Sequence, residues 1–212
     1  MSGMDRQVLS FHESLLRESD VHLLRGPHWL NDQIISFYFE YLEKVVYRDA
    51  RNLLFVSPEV TQCLKIVSSD EASVFLTPLQ ATEKDFIFFA LNNNEQSTAG
   101  GSHWSLLVFS RPENTFFHFD SCSGSNLATS RRFSRHLRSS LGCPGAELHE
   151  HECLQQSNCY DCGIHLILAT EMVAQHTEDT GTVHNTPEIH QQDVKGKRRE
   201  ILKIIRQLGG EI

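Results

Sequence analysis

The pattern of apolar positions predicts helices in the first third of the chain. Between 29 and 47, apolar residues recur at helical spacing around Asn31-Asp32, either of which can cap a helix. Ser57-Pro58 begins a second helix, because proline is favoured at the first helical position, and 71–76 predicts a third, short one. Residues 1–28 have no sustained period and predict an irregular arm with short extended pieces.

The middle of the chain has the pattern of a sheet. Residues 85–91 form a short, continuous apolar run, which is typical of a buried central strand. Two further strand-like runs, 102–109 and 115–120, are joined by the turn-forming residues 111–114 and predict a hairpin. The polar, glycine-ended segment 92–101 predicts a surface loop, and such loops often carry function.

The last third combines one strand with further helices. Residues 127–141 predict a basic amphipathic helix, 146–154 a strand, and the apolar run from Cys162 to about His176 a buried helix. Residues 177–192 are polar and predict weak order, and 194–208 predicts a final basic helix. Helices, then a mainly antiparallel sheet, then helices again predict the α+β class.

Length and charge narrow the class of protein. A chain of 212 residues suits one large domain or two small ones, and we predict a main domain over 1–176. Residues 177–212 then form a polar linker and a C-terminal helix packed on that domain. The net charge of −8 argues against a nucleic-acid binder and fits a partner with a basic face.

The sequence contains no recognisable membrane or export signal. No N-terminal apolar stretch resembles a signal peptide, and no run approaches the roughly 20 residues that span a membrane. We therefore expect a cytoplasmic or nuclear protein without a membrane partner. Its six cysteines are then expected to be free, catalytic or metal-bound rather than paired. The basic run 195–199 is either a nuclear signal or, as we expect, a solvated helix face.

The segment 155–163, QQSNCYDCG, leads directly into the apolar helix and places Cys162 in its first turn. Asp161 is a good N-cap residue there. Unpaired backbone N–H groups and the helix macrodipole favour a negative charge at this position. Such thiols have a pKa of about 3.5–7.5 in known cases, against about 8.5 for a free thiol. Cys162 is therefore a candidate nucleophile, although most free cysteines are small buried apolar residues.

A thiolate nucleophile needs a base, and the base needs an orienting acceptor. His103 begins the first strand of the predicted hairpin and Asp120 ends the second, within a residue or two of opposite positions. Neighbours across such strands lie about 5 Å apart, and diagonal ones about 7–8 Å. His103 can therefore pair with Asp120 through one ring nitrogen and with Cys162 through the other. The alternative is a surface histidine and a turn-forming aspartate.

Gln156 lies six residues before Cys162, on the segment that leads into the helix. From this position its amide can donate a hydrogen bond to an oxyanion, together with the Cys162 backbone N–H. The alternative is a solvated loop residue. Its neighbour Gln155 offers the same chemistry from the adjacent position.

These motifs resemble the ubiquitin-like-modifier protease family of cysteine peptidases (sentrin-specific or Ulp-type), in which His, Asp, Gln and Cys follow in this chain order. The match is closest to the deneddylase branch and covers about residues 5–175. Cys159 departs from it, where a small polar residue is expected. The pair Gln155-Gln156 leaves a choice of catalytic amide, and the family's spacing to the cysteine selects Gln156. The motifs that carry the resemblance are Trp29–Asp32, Ser57–Gln62, Ala99–Val108, His103-Trp104, Asp120-Ser121 and Tyr160–Gly163.

The resemblance implies a papain-like core and a protease or isopeptidase that cleaves after the C-terminal Gly-Gly of a ubiquitin-like modifier. Deneddylation and maturation of the neddylation modifier are the implied reactions, without a cofactor or metal. Trp29 and Trp104 would form an aromatic channel that only Gly-Gly passes, and Asp32 would pair with an arginine before it. The loop 92–101 would close over the bound tail. The implied partners are the modifier and its conjugates such as cullins, bound by a monomer.

Several alternatives remain at this point. The chain can be a desumoylating protease of the same family, or a catalytically silent modifier-binding module. Both tryptophans can simply be core residues. A zinc site is the main rival, since His149, His151 and Cys153 alternate along one strand and Cys159-x-x-Cys162 has a metal-type spacing. A thioredoxin-like redox role fits poorly, because the flanking βαβ pattern is missing.

Overall fold

The computed structural model describes residues 5–98 and 100–212. Residues 1–4 of the predicted N-terminal arm and Ala99 of the predicted loop lie outside the described residues. The strands are β1 (Gln7–Phe11), β2 (Ser14–Arg17), β3 (Leu53–Val56), β4 (Phe86–Asn92), β5 (Trp104–Ser110), β6 (Thr115–Phe119) and β7 (Glu147–His151). The helices are α1 (Glu18–His22), α2 (Asp32–Tyr41), α3 (Pro58–Ile66), α4 (Ser69–Leu76), α5 (Leu127–Ser140), α6 (Cys162–Thr180) and α7 (Gln191–Gln207).

Strands β3 to β7 form one sheet in the order β3-β4-β5-β6-β7, and β1 pairs with β2 in a separate hairpin. The α+β class is confirmed. The sheet is mixed, however, rather than mainly antiparallel: β4-β5 and β5-β6 are antiparallel, whereas β3-β4 and β6-β7 are parallel. The helical connections explain this, because α3 and α4 cross between β3 and β4, and α5 crosses between β6 and β7.

Each face of the sheet is covered by its own hydrophobic core. One core joins strand residues such as Phe88 and Val108 to α2, α6 and α7. The other joins Phe89 and Leu107 to α3, α4 and α5. Because β4 and β5 are buried on both faces, their sequences are continuously apolar instead of alternating.

The helix starts follow the capping pattern in the first third of the chain. The Asn31 side chain caps α2 by accepting the backbone N–H of Ile34 at 3.1 Å, so Asn31 rather than Asp32 is the cap. Ser57 caps α3 in the same way, ahead of the proline at its first position. After Tyr41, α2 continues as a π-helical turn over 42–46. The α-helix, Asp32–Tyr41, is therefore shorter than the predicted helix over 29–47.

The segment 177–192 is anchored, although its polar sequence predicts weak order. Helix α6 extends to Thr180, past the predicted end near His176. The carboxylate of Glu113, in the β5–β6 turn, then accepts hydrogen bonds from the Thr182 hydroxyl and the Val183 backbone N–H at 2.5 and 2.7 Å. The mostly buried Glu113 carboxylate thus anchors the segment, and Val183 and Ile189 join it to the core. Within residues 5–98 and 100–212, no helix has the length and apolar character needed to cross a membrane.

Candidate active site

The buried helix α6 begins at Cys162, as the sequence predicts, and only 2% of this residue is exposed. Its first turn carries backbone N–H groups that have no acceptor within the helix. Glycine is required next, because a Cβ on Gly163 would lie 2.9 Å from the Cβ of Leu30. The start of α6 thereby approaches the segment that carries Trp29. Cys162 forms part of the wall of a cleft of about 460 Å³ between these segments.

His103 and Asp120 lie at the ends of the central hairpin and are both buried. His103 directly precedes β5 and Asp120 directly follows β6, so the antiparallel register sets them on a diagonal. His103 Nε2 lies 2.5 Å from Asp120 Oδ1. Its other ring nitrogen, Nδ1, is left for Cys162, which lies close enough to the ring to raise the pKa of His103. The structure thus brings the three predicted residues together.

The protonation of His103 is controlled by opposing effects. Burial lowers its pKa, but the hydrogen bonds to Asp120 and Cys162 and the charges of both groups outweigh burial and raise the pKa to about 9. His103 is therefore an imidazolium at neutral pH in this arrangement. A protonated ring at this position can act as a general acid.

Asp120 is held by backbone donors as well as by His103. The backbone N–H groups of Cys122 and Asn126 donate to its two carboxylate oxygens at 3.0 and 2.9 Å. Burial raises the pKa of Asp120, but the hydrogen bonds from His103, Asn126 and Cys122 outweigh it and lower the pKa overall. The carboxylate therefore stays ionised and fixed in orientation.

Asn126 is a site residue that the sequence analysis missed. It is fully buried, and its amide donates to Ser105 Oγ at 2.8 Å. Ser105 Oγ lies 2.9 Å from Nε2 of the buried His118, whose Nδ1 lies 2.8 Å from Glu150 Oε2. Glu150, His118, Ser105 and Asn126 therefore form a continuous hydrogen-bonded chain. This chain reaches Asp120 through the backbone N–H of Asn126. The only sequence signal was the position of Asn126 before α5, where an asparagine is normally a helix cap.

The two neighbouring glutamines have different surroundings. The Gln155 amide donates to two backbone carbonyls, those of Asp120 and Cys153, at 3.0 Å each. Gln156 instead accepts from the Ser121 hydroxyl at 2.8 Å and donates to the Asn158 carbonyl at 2.6 Å. Both amide hydrogens of Gln155 are therefore occupied. Among the described residues, Gln156 donates only one of its two amide hydrogens, the one bound to the Asn158 carbonyl.

The residues predicted to bind the substrate share one cleft with Cys162. Trp29, Asp32 and Trp104 all line it. Trp29 is 48% exposed, and its indole N–H donates to the Cys159 carbonyl. The Trp104 indole N–H donates to the Leu30 carbonyl at 3.0 Å. Backbone acceptors thus orient both rings, while the exposed Asp32 carboxylate stands at the start of α2.

The polar loop 92–101 contributes further lining residues to this cleft, and hydrogen bonds from Lys65 on α3 hold it in place. Lys65 donates to the Asn92 carbonyl at 2.6 Å and also to the Asn94 carbonyl. Burial lowers the pKa of Lys65 to about 8, partly offset by the charge of Glu95. Gly101 has a φ of +91°, and a Cβ there would collide with the Asn92 side chain. The loop therefore needs glycine to turn back into β5.

The rival zinc ligands do not converge. The rings of His149 and His151 lie 6.0 Å apart at their centroids, and His151 stacks on Phe119. Within residues 5–98 and 100–212, no group of three or more His, Cys, Asp or Glu side chains is placed to hold a metal ion. All six cysteines are free thiols.

Asp161 occupies the N-cap position of α6 without capping it, contrary to the sequence prediction. Its carboxylate instead accepts hydrogen bonds from Arg198 and Asn158, both at 2.8 Å. The cause is a competing partner: a guanidinium from α7 forms an ion pair that the helix's own N–H groups cannot match.

A cysteine at a helix start, beside a buried histidine–aspartate pair and an open aromatic cleft, is the arrangement of a papain-like cysteine peptidase. Residues 28–209 match the model described as "Ulp1 protease family, C-terminal catalytic domain". The chain belongs to this family of cysteine proteases.

Curated relatives and solved structures agree with this assignment. The chain is 45% identical over 177 residues to sentrin-specific protease 8 of Homo sapiens, covering 82% of this chain and 84% of the relative. It is 32% identical over 219 residues to NEDD8-specific protease 1 of Arabidopsis thaliana, covering 98% and 96%. The yeast Ulp1 protease domain, solved in complex with Smt3, has the same fold, with a TM-score of 0.73 at 22% identity and coverage of 96% and 88%.

Proposed function

We propose that this protein is a deneddylase, which cleaves after the C-terminal Gly-Gly of the neddylation modifier in precursors and conjugates. The observation that carries the proposal is the cleft itself, in which Trp29 and Trp104 line the approach to Cys162. The family resemblance implies that only a tail without side chains at its end, such as Gly-Gly, passes between these two indole rings. The identity to sentrin-specific protease 8 and to NEDD8-specific protease 1 supports the choice of modifier.

The geometry supports a two-step acyl transfer. The Cys162 thiolate attacks the carbonyl carbon of the last glycine, and His103 gives its Nδ1 proton to the leaving amine as the C–N bond breaks. The thioester that remains is hydrolysed by water, from which His103 takes a proton. The C–S bond then breaks, the modifier leaves with a free carboxylate, and Asp120 keeps the ring in place throughout.

Each step passes through an oxyanion on the glycine carbonyl. The Cys162 backbone N–H is in the first turn of α6, without an acceptor in the helix. The second donor in our proposal is Gln156, because one of its amide hydrogens is uncommitted among the described residues and Ser121 holds its other end. Two donors aimed at the developing charge are the usual basis of such stabilisation.

The substrate's arginine and the enzyme's partners complete the proposal. Asp32 lines the cleft with an exposed carboxylate and would pair with an arginine that precedes the diglycine. We also propose that conjugates such as cullins are substrates, and that the enzyme acts as a monomer in the cytoplasm or nucleus. Residues 1–176 would form the catalytic domain, with 177–212 packed on it. The proposed catalytic residues His103, Asp120, Gln156 and Cys162 all belong to this chain, so the reaction as proposed needs no residue from a second copy.

Selectivity is the measurement that tests this proposal. Fluorophore adducts of the neddylation modifier, of ubiquitin and of SUMO are compared by kcat/KM with the same enzyme preparation. We expect the neddylation adduct to be preferred by at least about 100-fold, a discrimination that differential binding can supply. Equal values for ubiquitin and the neddylation modifier would refute the proposed selectivity. A preference for SUMO would replace it with desumoylation.

A further inference from the structure

Arg198, on α7, directs its guanidinium at the two segments that form the cleft. Its Nη1 donates to the Leu23 carbonyl at 2.7 Å, and its Nη2 donates to the His28 carbonyl at 2.8 Å. The same Nη2 donates to Asp161 Oδ1 at 2.8 Å, and Nε donates to that oxygen at 3.2 Å. A longer contact, 3.4 Å, reaches the Tyr160 carbonyl. The Arg198 side chain thus binds both the segment that leads to Trp29 and the segment that leads to Cys162.

Two of these acceptors are adjacent in sequence to proposed active-site residues. His28 directly precedes Trp29, and Asp161 directly precedes Cys162. On the cleft side, the same two segments are joined by the hydrogen bond from the Trp29 indole to the Cys159 carbonyl. The Arg198 guanidinium bonds both segments a second time, through the residues adjacent to Trp29 and Cys162. Two sets of hydrogen bonds therefore fix the distance between Trp29, which forms one wall of the cleft, and Cys162. One is the bond from the Trp29 indole, and the other comes from the Arg198 guanidinium.

Arg198 is chemically suited to this position in a way that lysine is not. The guanidinium is a rigid, planar fork with five donors, whereas an ammonium is a single point of charge. Both Arg198 and Asp161 have side chains that are only 15% exposed, so water screens their ion pair weakly. Backbone carbonyls that lose this donor would be left without a partner of equal strength.

The neighbouring basic residues show that this placement is specific. The sequence pattern alone predicts a solvated helix face for the run 195–199. Lys197 is instead buried and ion-paired with Glu171, and Arg198 contacts the cleft segments, whereas Arg199 is exposed. Helix α7 therefore contributes to the active site as well as to the core.

We propose that Arg198 is a positioning residue, which sets the separation between the Trp29 wall and Cys162 and so controls the reaction of the diglycine tail. The inference rests on the role proposed above for Cys162. A misplacement of about 1 Å from a remote change can lower a rate about 100-fold, so the expected effect on turnover is large.

The test compares Arg198→Lys with Arg199→Lys, which makes the same chemical change one residue away at an exposed position. Active enzyme is counted by titration with a diglycine-ended electrophile, and kcat and KM are expressed per titrated site. Arg198→Lys should lower kcat/KM about 10- to 100-fold, with contributions from a lower kcat and a higher KM. Arg199→Lys should match the parent enzyme.

Two substrates separate positioning from other roles. The Arg198→Lys defect should persist on a short peptide that ends in the diglycine sequence, because that peptide still needs the wall and the nucleophile. Parent activity per titrated site would refute the inference and leave Arg198 a purely structural residue. A defect confined to the full-length modifier would also refute it, since it would indicate a contact with the modifier's body.

A second variant keeps the test decisive if Arg198→Lys does not fold. Asp161→Asn retains the shape of the acceptor but removes its charge, and should lower kcat/KM per titrated site on both substrates, by less than Arg198→Lys. Parent values for Asp161→Asn would count against the inference. Failure of the proposed function is recognised separately, because Cys162→Ala would then still turn over substrate.

Discussion

The site has a catalytic side, the buried pair His103 and Asp120 next to Cys162, and a recognition side, the cleft wall with Trp29 and Asp32. These two sides are built in opposite ways. On the catalytic side His103 and Asp120 are 7% and 5% exposed, and backbone donors fix the carboxylate. On the recognition side Trp29 is 48% exposed and Asp32 is exposed. The catalytic side is thus organised before the substrate arrives, which is what transition-state stabilisation requires. The recognition side leaves apolar and charged surface open for a flexible tail.

The comparison predicts that the largest effect follows from disturbing the buried side. Asp120→Asn keeps the shape of the residue but removes the charge that orients His103. We expect kcat to fall by up to about 10⁴-fold, the size seen when a triad aspartate is neutralised. The matched control is Asp49→Asn, since Asp49 has a side chain that is 91% exposed. Less than a tenfold loss in Asp120→Asn would contradict the role given to this carboxylate.

The same variant should change the pH dependence. The raised pKa of His103, about 9, means that the protonated ring is lost as pH rises through about 9. Activity that needs a proton for the leaving amine should fall over that range, and so should any stability that the charged ring contributes. In Asp120→Asn the fall in kcat should begin at lower pH, because the carboxylate no longer favours the charged ring. An unchanged alkaline limb would argue against the pairing.

Gln156, on the segment that leads into α6, should give the next largest effect. Gln156→Ala removes one proposed oxyanion donor, which typically lowers kcat about 10²- to 10³-fold. KM should change little, because the donor acts on charge that develops during the reaction. Gln155→Ala is the comparison, since both Gln155 amide hydrogens bind backbone carbonyls. A larger loss of kcat in Gln155→Ala would show that the other amide is the donor.

Substitutions of the exposed recognition residues should change substrate binding, and the change should be small. Asp32→Ala should raise KM for a tail ending in Arg-Gly-Gly about two- to fivefold, the range of an exposed ion pair, and leave kcat unchanged. The defect should shrink at high salt, because salt screens exposed charges. Asp49→Ala serves as the control for loss of one surface charge. A KM defect that is independent of salt would argue against an ion pair.

Sequence patterns predicted the buried side better than the supports around it. A hairpin has a register set by its own turn, so the diagonal of His103 and Asp120 could be inferred from two short runs. Arg198 and the His28 carbonyl are 170 residues apart, and no local period encodes such a contact. Asn126 was hidden for a similar reason, since its amide partner Ser105 is on another element.

The errors in the predicted elements also have physical causes. Strand β3, Leu53–Val56, was missed because four apolar residues do not establish a period. Its parallel pairing with β4 depends on the helices between them, which local patterning does not specify. The segment 177–192 was judged by its own polar composition, whereas its anchor, Glu113, belongs to the hairpin turn.

That anchor gives the smallest predicted effect on activity and a clear effect on stability. Burial raises the pKa of Glu113, but hydrogen bonds from Ser110, Thr182, Val183 and His184 outweigh it and lower the pKa to about 2. A depressed folded-state pKa contributes stability above the ordinary value of 4.5, and this stability is lost as pH falls towards 2. Glu113→Gln should therefore lower Tm at pH 7 and leave kcat/KM per active site unchanged.

The pH dependence of that Tm difference is the check. The gap between Glu113→Gln and the parent should narrow as pH falls from about 4.5 towards 2, because the unfolded parent takes up a proton near 4.5 and the folded parent only near 2. Glu147→Gln is a matched control at an exposed position of β7 and should leave Tm unchanged. A constant gap from pH 7 to pH 3 would show that the ionised carboxylate is not the source of the stability.

The role of Cys162 as nucleophile is tested most directly by turnover of a neddylation-modifier–fluorophore substrate by Cys162→Ala, beside Cys159→Ala. We predict no turnover by Cys162→Ala with modifier affinity close to that of the parent, because the cleft walls are unchanged. Cys159→Ala should stay active, since its hydrogen bond with Trp29 is made by the backbone carbonyl, which alanine retains. Turnover by Cys162→Ala would contradict the account.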